Sequence, residues 1–176
     1  MSTVPTSQAQ VRVHIRWMIR RDMPEVLAIE HAGFEFPWCE EEFLRVLRQR
    51  NCIGMVAELG ERVVGFMIYE LHKSKLNILD FAVHPEFRRQ GVADQMVDKL
   101  VGKLSSHRRT RIVLHVRETN LPAQVFFRAQ GFKAVEVVRE HFQDTMEDSY
   151  FMNYLFDEGV VEEAMPANRI AKQFGH

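Results

Sequence analysis

The chain has 176 residues, 46% of them hydrophobic and 27% charged, which suits one globular domain with some tail. Its 23 Lys and Arg are offset by 24 Asp and Glu, and a net charge of -1 argues against a general nucleic-acid binder. No apolar run reaches membrane-spanning length, and Cys39 and Cys52 lack metal-type spacing, which argues against a structural zinc site and for a reducing compartment.

Residues 1–10 are polar, lack the apolar core of a signal peptide and read as a disordered leader, so the expected location is cytoplasmic. Val11, Val13, Ile15, Trp17 and Ile19 alternate, which predicts a first strand over 11–19. Asp22 reads as the N-cap of a short helix with Pro24 in its first turn, ending near 32. After a break at 33–38, Phe43, Leu44 and Leu47 mark the inner face of a second helix over 40–50. Two apolar segments, 52–59 and 62–71, flank Gly60-Glu61, a tight hairpin signal. A third strand over 75–83 stops before Pro85, which has no N–H to give a ladder.

The stretch from Phe81 to Ala93 carries the most information. It runs from the strand through a turn into a helix whose apolar residues Val92, Met96, Val97, Leu100 and Leu104 recur at helical period. A helix N-terminus has unpaired N–H groups and the positive end of a dipole, so it suits a phosphate. Gly91 permits close backbone approach, Ala93 adds only a methyl group, and Arg88 and Arg89 add charge. The physics points to a phosphate or pyrophosphate cradle, although neither G-x-x-x-x-G-K-[ST] nor G-x-G-x-x-G is present.

A strand over 110–116, a helix over 121–130 with Gly131 as its C′ residue, and strands over 132–138 and 149–156 complete the pattern. Arg108-Arg109-x-Arg111 reads as a solvated helix end. Residues 157–176, interrupted by Pro166, read either as a weak helix packed on the body or a partner, or as disorder. The predicted fold class is α/β of the α+β type: a central mixed, twisted sheet of about seven strands with helices on both faces, spanning 11–156. The unit around 88–110 is expected as a right-handed parallel crossover.

Arg88-x-x-Gly91-x-Ala93 after a strand ending Ala-Val-x-Pro resembles the acyl-CoA loop of the GNAT acetyltransferases. Leu114-His115-Val116-Arg117-Glu118-Thr119-Asn120, then a helix closing on Phe127-Arg128-Ala129-Gln130-Gly131-Phe132, strengthens that resemblance. Three further segments are similar to those of the RimI-type N-terminal acetyltransferases: Phe36-Pro37-Trp38-Cys39-Glu40, Arg139-Glu140-His141-Phe142 and Glu147-Asp148-Ser149-Tyr150-Phe151-Met152. The resemblance covers residues 14–156 and implies the GNAT fold. It also implies acetyl-CoA as cosubstrate, with no metal.

By the same resemblance, the backbone of Phe81, Ala82 and Val83 would bind the pantetheine arm, and an N–H there would stabilise the oxyanion. Arg88, Arg89, Gln90, Gly91, Val92, Ala93 and Asp94 would hold the pyrophosphate, and Asn120 would contact acetyl-CoA, cap the following helix, or both. His115 stands where RimI proteins carry a glutamate base. Leu114-His115-Val116 also resembles eukaryotic N-terminal acetyltransferases, in which this histidine is the base. Phe127 replaces the tyrosine that protonates the thiolate, which leaves Tyr150, Tyr154, His141 or water as candidate donors. Phe36 and Trp38 would wall the acceptor groove, with Tyr150 on the substrate side.

The expected reaction is direct attack of an amine on acetyl-CoA in a ternary complex. A free α-amine has a pKa of about 7.7–8.0 and lysine about 10.4, so a histidine base is better matched to a peptide or protein N-terminus. The RimI resemblance implies a ribosomal protein. The alternatives are a small-molecule amine, a lysine, or an acyl-CoA-binding regulatory module with little turnover. Neither nucleic acid nor membrane is expected as a partner, and the chain is expected as a monomer or homodimer.

Overall fold

The computed structural model describes residues 9–157. Most of the expected leader and nearly all of the expected tail lie outside them. The alternation over 11–19 forms strand only at its centre, β1 (His14–Trp17). Upstream, the backbone finds other partners. The Val11 N–H donates to the Gln90 carbonyl (3.0 Å) and the Val13 N–H to the Gln95 side-chain oxygen (3.1 Å). Gln95 Nε2 donates back to the Val11 carbonyl at 2.7 Å. Asp22 stands at the first helix's N-cap position, but its side chain does not cap. Its carboxylate, 3% exposed, accepts from both Arg16 Nη atoms (2.7 and 2.9 Å) and from the Ile19 N–H (2.8 Å).

The helices are α1 (Met23–Gly33), α2 (Glu40–Leu47), α3 (Val92–Val101) and α4 (Leu121–Ala129). The second and third are each three residues shorter than their apolar periods suggest, because the chain turns at Arg48 and at Gly102. The remaining strands are β2 (Cys52–Leu59), β3 (Arg62–Leu71), β4 (Lys75–Val83), β5 (Arg111–Arg117), β6 (Lys133–Phe142) and β7 (Glu147–Leu155). Gly131 adopts φ +94°, as the C′ position after α4 requires.

One seven-stranded sheet has the order β1-β2-β3-β4-β5-β7-β6, antiparallel except for β4–β5. Met96, Val97 and Leu100 of α3 and Phe127 of α4 pack with Leu76, Ile112 and Leu114 on one face. Val26 and Ile29 of α1 and Phe43 of α2 pack with Val56, Phe66 and Ile68 on the other. Fully burying one such side chain contributes about 1.5–3 kcal/mol, so the two layers hold the sheet from both sides.

Two irregularities shape the site. β4 pairs with β5 only from Lys75↔Arg111 to Ile78↔Leu114, after which the strands part. At that point Leu79 is an extra residue: Tyr69 pairs with Ile78 and Ile68 with Asp80. The bulge reverses the side-chain phase. Ile78 therefore packs in the α3/α4 layer, while Ala82 packs in the α1/α2 layer. The second irregularity lies between Val138 and Phe142 in β6, where Glu140 adopts φ +47°. Asp148 holds this stretch, accepting from the Glu140 N–H (2.9 Å) and from Arg139 Nη1 (2.7 Å). β6 therefore continues to Phe142, beyond its predicted end at 138.

Candidate active site

A cavity of about 220 Å³ lies where β4 and β5 diverge. β4 supplies residues 78–81, β5 residues 114–117, and α4 supplies Ala123 and Phe127 with Asn120 before it. Glu30, Phe34, Phe36 and Trp38 close the α1 side, and Phe142 closes the β6 side. A buried strand edge needs partners for its amides and carbonyls. Beyond Ile78, the edge of β4 that faces β5 has no strand to pair with among the described residues. That edge, along the 81–83 stretch, suits an extended amide-bearing arm laid beside it as an added strand.

The cradle at the start of α3 has the conformation its residues suggest. Gly91 adopts φ +80° and Arg89 φ +59°, so two left-handed residues turn the loop before the helix. A Cβ on Gly91 would meet only the flexible, exposed end of the Gln10 side chain, so it is the left-handed backbone that selects glycine here. The first-turn amides of Val92, Ala93 and Asp94 lie at the positive end of the helix. Arg88 Nε donates to the Val83 carbonyl at 3.3 Å, which holds the loop against the end of β4. Asp94 accepts a short hydrogen bond from Gln130, tying this helix start to the end of α4. By charge, such a helix start suits a diphosphate.

His115 is half-buried on β5, on the face opposite Leu114 and Val116. Its Nδ1 is bonded to the hydroxyl of the fully buried Ser149 at 2.9 Å. When that hydroxyl accepts, Nε2 keeps its lone pair, the form a base needs. The His141 ring stacks on His115, with centroids 4.1 Å apart and planes at 12°, and Phe151 lies 4.9 Å away. Burial first, and His141 second, hold the His115 pKa below the ordinary histidine value. The imidazole is therefore neutral at physiological pH.

Arg117 braces the rim. Its guanidinium pairs with Asp144 (2.6 Å) and Glu147 (2.9 Å), lies 4.1 Å above the Phe142 ring and 5.6 Å from that of Phe36. Trp38 packs edge-on against Phe43 at 5.3 Å, and its backbone N–H donates to Glu30 Oε1 at 2.9 Å. Asn120 lines the cavity and also caps α4, accepting from the Ala123 N–H at 3.3 Å. Phe127 is 4% exposed and sits in a cluster with Phe81, Phe126 and Phe132 at centroid distances of 5.0–5.5 Å.

The structure thus brings together Phe36, Trp38, Phe81, His115, Asn120 and Phe127. It does not bring in Tyr150, expected on the substrate side: that residue lies on the opposite face of β7 and lines a separate cleft with Leu121, Val125 and Met152. Tyr154 packs against Phe132 and Gly131, also away from the cavity. Strand alternation places both tyrosines on the α4 side, whereas Ser149 and Phe151 face His115. Sequence reasoning missed Glu30, Asp80, Ser149 and the bracing by Arg117. The one available signal was Asp80, a carboxylate between Leu79 and Phe81 in an otherwise apolar run.

Among the described residues, no group of three or more His, Cys, Asp or Glu side chains is placed to hold a metal ion, and no helix is long and apolar enough to cross a membrane.

A parted sheet edge and a left-handed loop at a helix start suit an acyl-CoA-dependent acetyltransferase, and His115 lines the cavity where the strands part. Residues 20–132 match the model of the acetyltransferase (GNAT) family, and the chain belongs to that family. It is similar to the [ribosomal protein bS18]-alanine N-acetyltransferase of Escherichia coli strain K12, with 25% identity over 133 residues, 74% of this chain and 89% of that protein. The crystal structure of the E. coli ribosomal-protein-S18-alanine N-acetyltransferase superposes with a TM-score of 0.73 at 20% identity, covering 91% of this chain and 99% of that one. Arabidopsis thaliana NAA60 in complex with acetyl-CoA superposes with a TM-score of 0.72 at 18% identity, covering 82% and 99%.

Proposed function

We propose that the protein transfers the acetyl group of acetyl-CoA to the N-terminal α-amine of a peptide or protein, by direct attack in a ternary complex. The observation that carries this reading is the position of His115: a neutral, half-buried imidazole lining the cavity at the divergence of β4 and β5. The amine enters between Phe36 and Trp38 on one side and the β6–β7 hairpin on the other. His115 takes its proton, and the backbone of the 81–83 stretch holds the thioester and its oxyanion.

The chemistry favours an α-amine over lysine. At pH 7 roughly one α-amine in seven is neutral, against roughly one lysine in 2,500. A histidine whose pKa is depressed is a weak base, suited to the acceptor that needs the least help. The small cavity, walled by Phe34, Phe36 and Trp38, suits a small first residue. A ribosomal protein N-terminus is the acceptor of the named E. coli relative, and we carry that substrate class over to this chain. The free thiols of Cys39 and Cys52 accord with a cytoplasmic setting.

The test is mass spectrometry after incubation with acetyl-CoA and paired peptides, one with a free N-terminus and one N-terminally blocked with an internal lysine. The free N-terminus is expected to be acetylated. Faster acetylation of the blocked peptide would replace this reading with a lysine acetyltransferase.

A further inference from the structure

The cavity wall carries two acidic side chains that the transfer just described leaves unused. Glu30 of α1 is 2% exposed and Asp80 of β4 is 7% exposed. Glu30 Oε2 and Asp80 Oδ2 are both buried with no other hydrogen-bond partner, and the two carboxyls interact directly. The Trp38 N–H donates to the second Glu30 oxygen, and the Phe81 N–H donates to the Asp80 carboxyl. Two buried carboxylates side by side cannot both stay ionised, so the pair shares a proton. The bulge at Leu79 creates this meeting, since it turns the strand after Ile78 toward α1.

Phe127 has no hydroxyl, so the departing thiolate needs another donor. Among the described residues lining the cavity, the titratable side chains are Glu30, Asp80, His115 and Arg117. His115 is the base. Arg117 is locked in ion pairs and does not release a proton. Asp80 directly precedes Phe81, where the stretch expected to hold the thioester begins.

We propose that Asp80, holding a proton shared with Glu30, is the general acid that protonates the coenzyme A thiolate. The inference rests on the acetyl-transfer reading above. Collapse of the tetrahedral intermediate breaks the C–S bond and leaves the electron pair on sulfur. That pair takes the Asp80 proton, giving the free thiol and an Asp80 carboxylate. The proton that His115 removed from the amine returns to the acidic pair through solvent, so each turnover converts amine and thioester to amide and thiol. Glu30 is a positioning residue: its charge keeps Asp80 protonated, and its Oε1 holds the acceptor loop.

The charged groups around the pair are known. His31 of α1 and Glu42 of α2 act on Glu30, and β5 presents His115 and Arg117 to the same cavity. β3 places apolar Ile68 opposite Asp80. The raised pKa of Asp80, caused by burial first and by Glu30 second, is consistent with a proton held at neutral pH.

The experiment measures kcat against pH for wild type, Asp80→Asn and Glu30→Gln with acetyl-CoA and an N-terminal peptide, with acetyl-CoA affinity measured separately by calorimetry. The wild-type kcat should fall at alkaline pH as Asp80 ionises. Asp80→Asn should lower kcat by about 10²-fold, remove the alkaline fall and leave acetyl-CoA affinity unchanged. Glu30→Gln should move the alkaline fall to lower pH, because Asp80 then ionises more easily. An Asp80→Asn enzyme with wild-type kcat and alkaline fall overturns the proposal, as does a Glu30→Gln enzyme whose alkaline fall has not moved. In either case a wild type that turns over leaves the acetyl-transfer reading standing. A wild type that neither binds acetyl-CoA nor transfers its acetyl group overturns both.

Discussion

His115 and His141 lie face to face, their ring centroids 4.1 Å apart and their planes inclined by 12°. They come from strands that are not neighbours, since β7 lies between β5 and β6 in the sheet. The left-handed backbone at Glu140, held by Asp148, accompanies this stacking. A second imidazole on the ring face disfavours a charge on His115, which adds to the effect of burial.

The base needs its neutral form, so a depressed pKa extends activity to lower pH. Replacing His141 with Phe keeps an aromatic neighbour but removes that electrostatic effect, and the His115 pKa should rise. The acidic limb of kcat is then expected to move to higher pH. His115→Ala should lower kcat by about 10²–10⁴-fold. Steady-state kinetics across pH 5–9 (approximate range, bracketing the histidine pKa) checks both.

Gly91→Ala should damage the phosphate cradle. The backbone there has φ +80°, and the new methyl group would meet the Gln10 side chain at 1.9 Å. The left-handed backbone costs a non-glycine residue about 1 kcal/mol, while the exposed end of Gln10 can swing aside at little cost. Thermal denaturation should show reduced stability, and calorimetry should show weaker binding of acetyl-CoA.

Arg117→Met should loosen the acceptor side while sparing the nucleotide side. The change removes the solvent-screened ties to Asp144 and Glu147 and the cation–π contact with Phe142, the last worth about 0.5–1 kcal/mol. A loss of that size is a few-fold in affinity. The peptide KM is expected to rise by about that factor with acetyl-CoA affinity unchanged. Kinetics with each substrate varied in turn separates the two.

Asp80 also links stability to pH. Its unfolded carboxyl titrates near the ordinary value of 3.8, and its folded pKa is well above that. Between the two values the folded state binds more protons, so stability falls as pH rises through that window. Asp80→Asn lacks this dependence. The variant should be more stable than wild type at mildly alkaline pH, and the difference should shrink toward acidic pH, as followed by thermal melts at several pH values.

Much of the fold was legible in the sequence because its signals are local. Alternation marked the strands, Gly60-Glu61 the hairpin, and Gly131 the end of α4. Asn120 was legible as a cap because the capping bond reaches only to Ala123. The errors fell where a distant partner overruled the local pattern. Val11 and Val13 alternate like a strand, yet their backbone bonds go to Gln90 and Gln95. Asp22 has the chemistry of a cap, yet Arg16 claims its carboxylate. Tyr150 was placed with the acceptor residues, yet its strand parity sends it to the other face.

By itself, the sequence determined the order of elements, the turn residues and the loop at Arg88–Ala93, because backbone propensity and side-chain period act over a few neighbouring residues. Tertiary structure alone decided the chemistry of the cavity. The bulge at Leu79 and the parting of β4 from β5 set Asp80 against Glu30, 50 residues apart in the chain, and Ser149 against His115. Protonation states depend on burial and on which charges stand within a few ångströms, and that proximity exists only once the chain has folded.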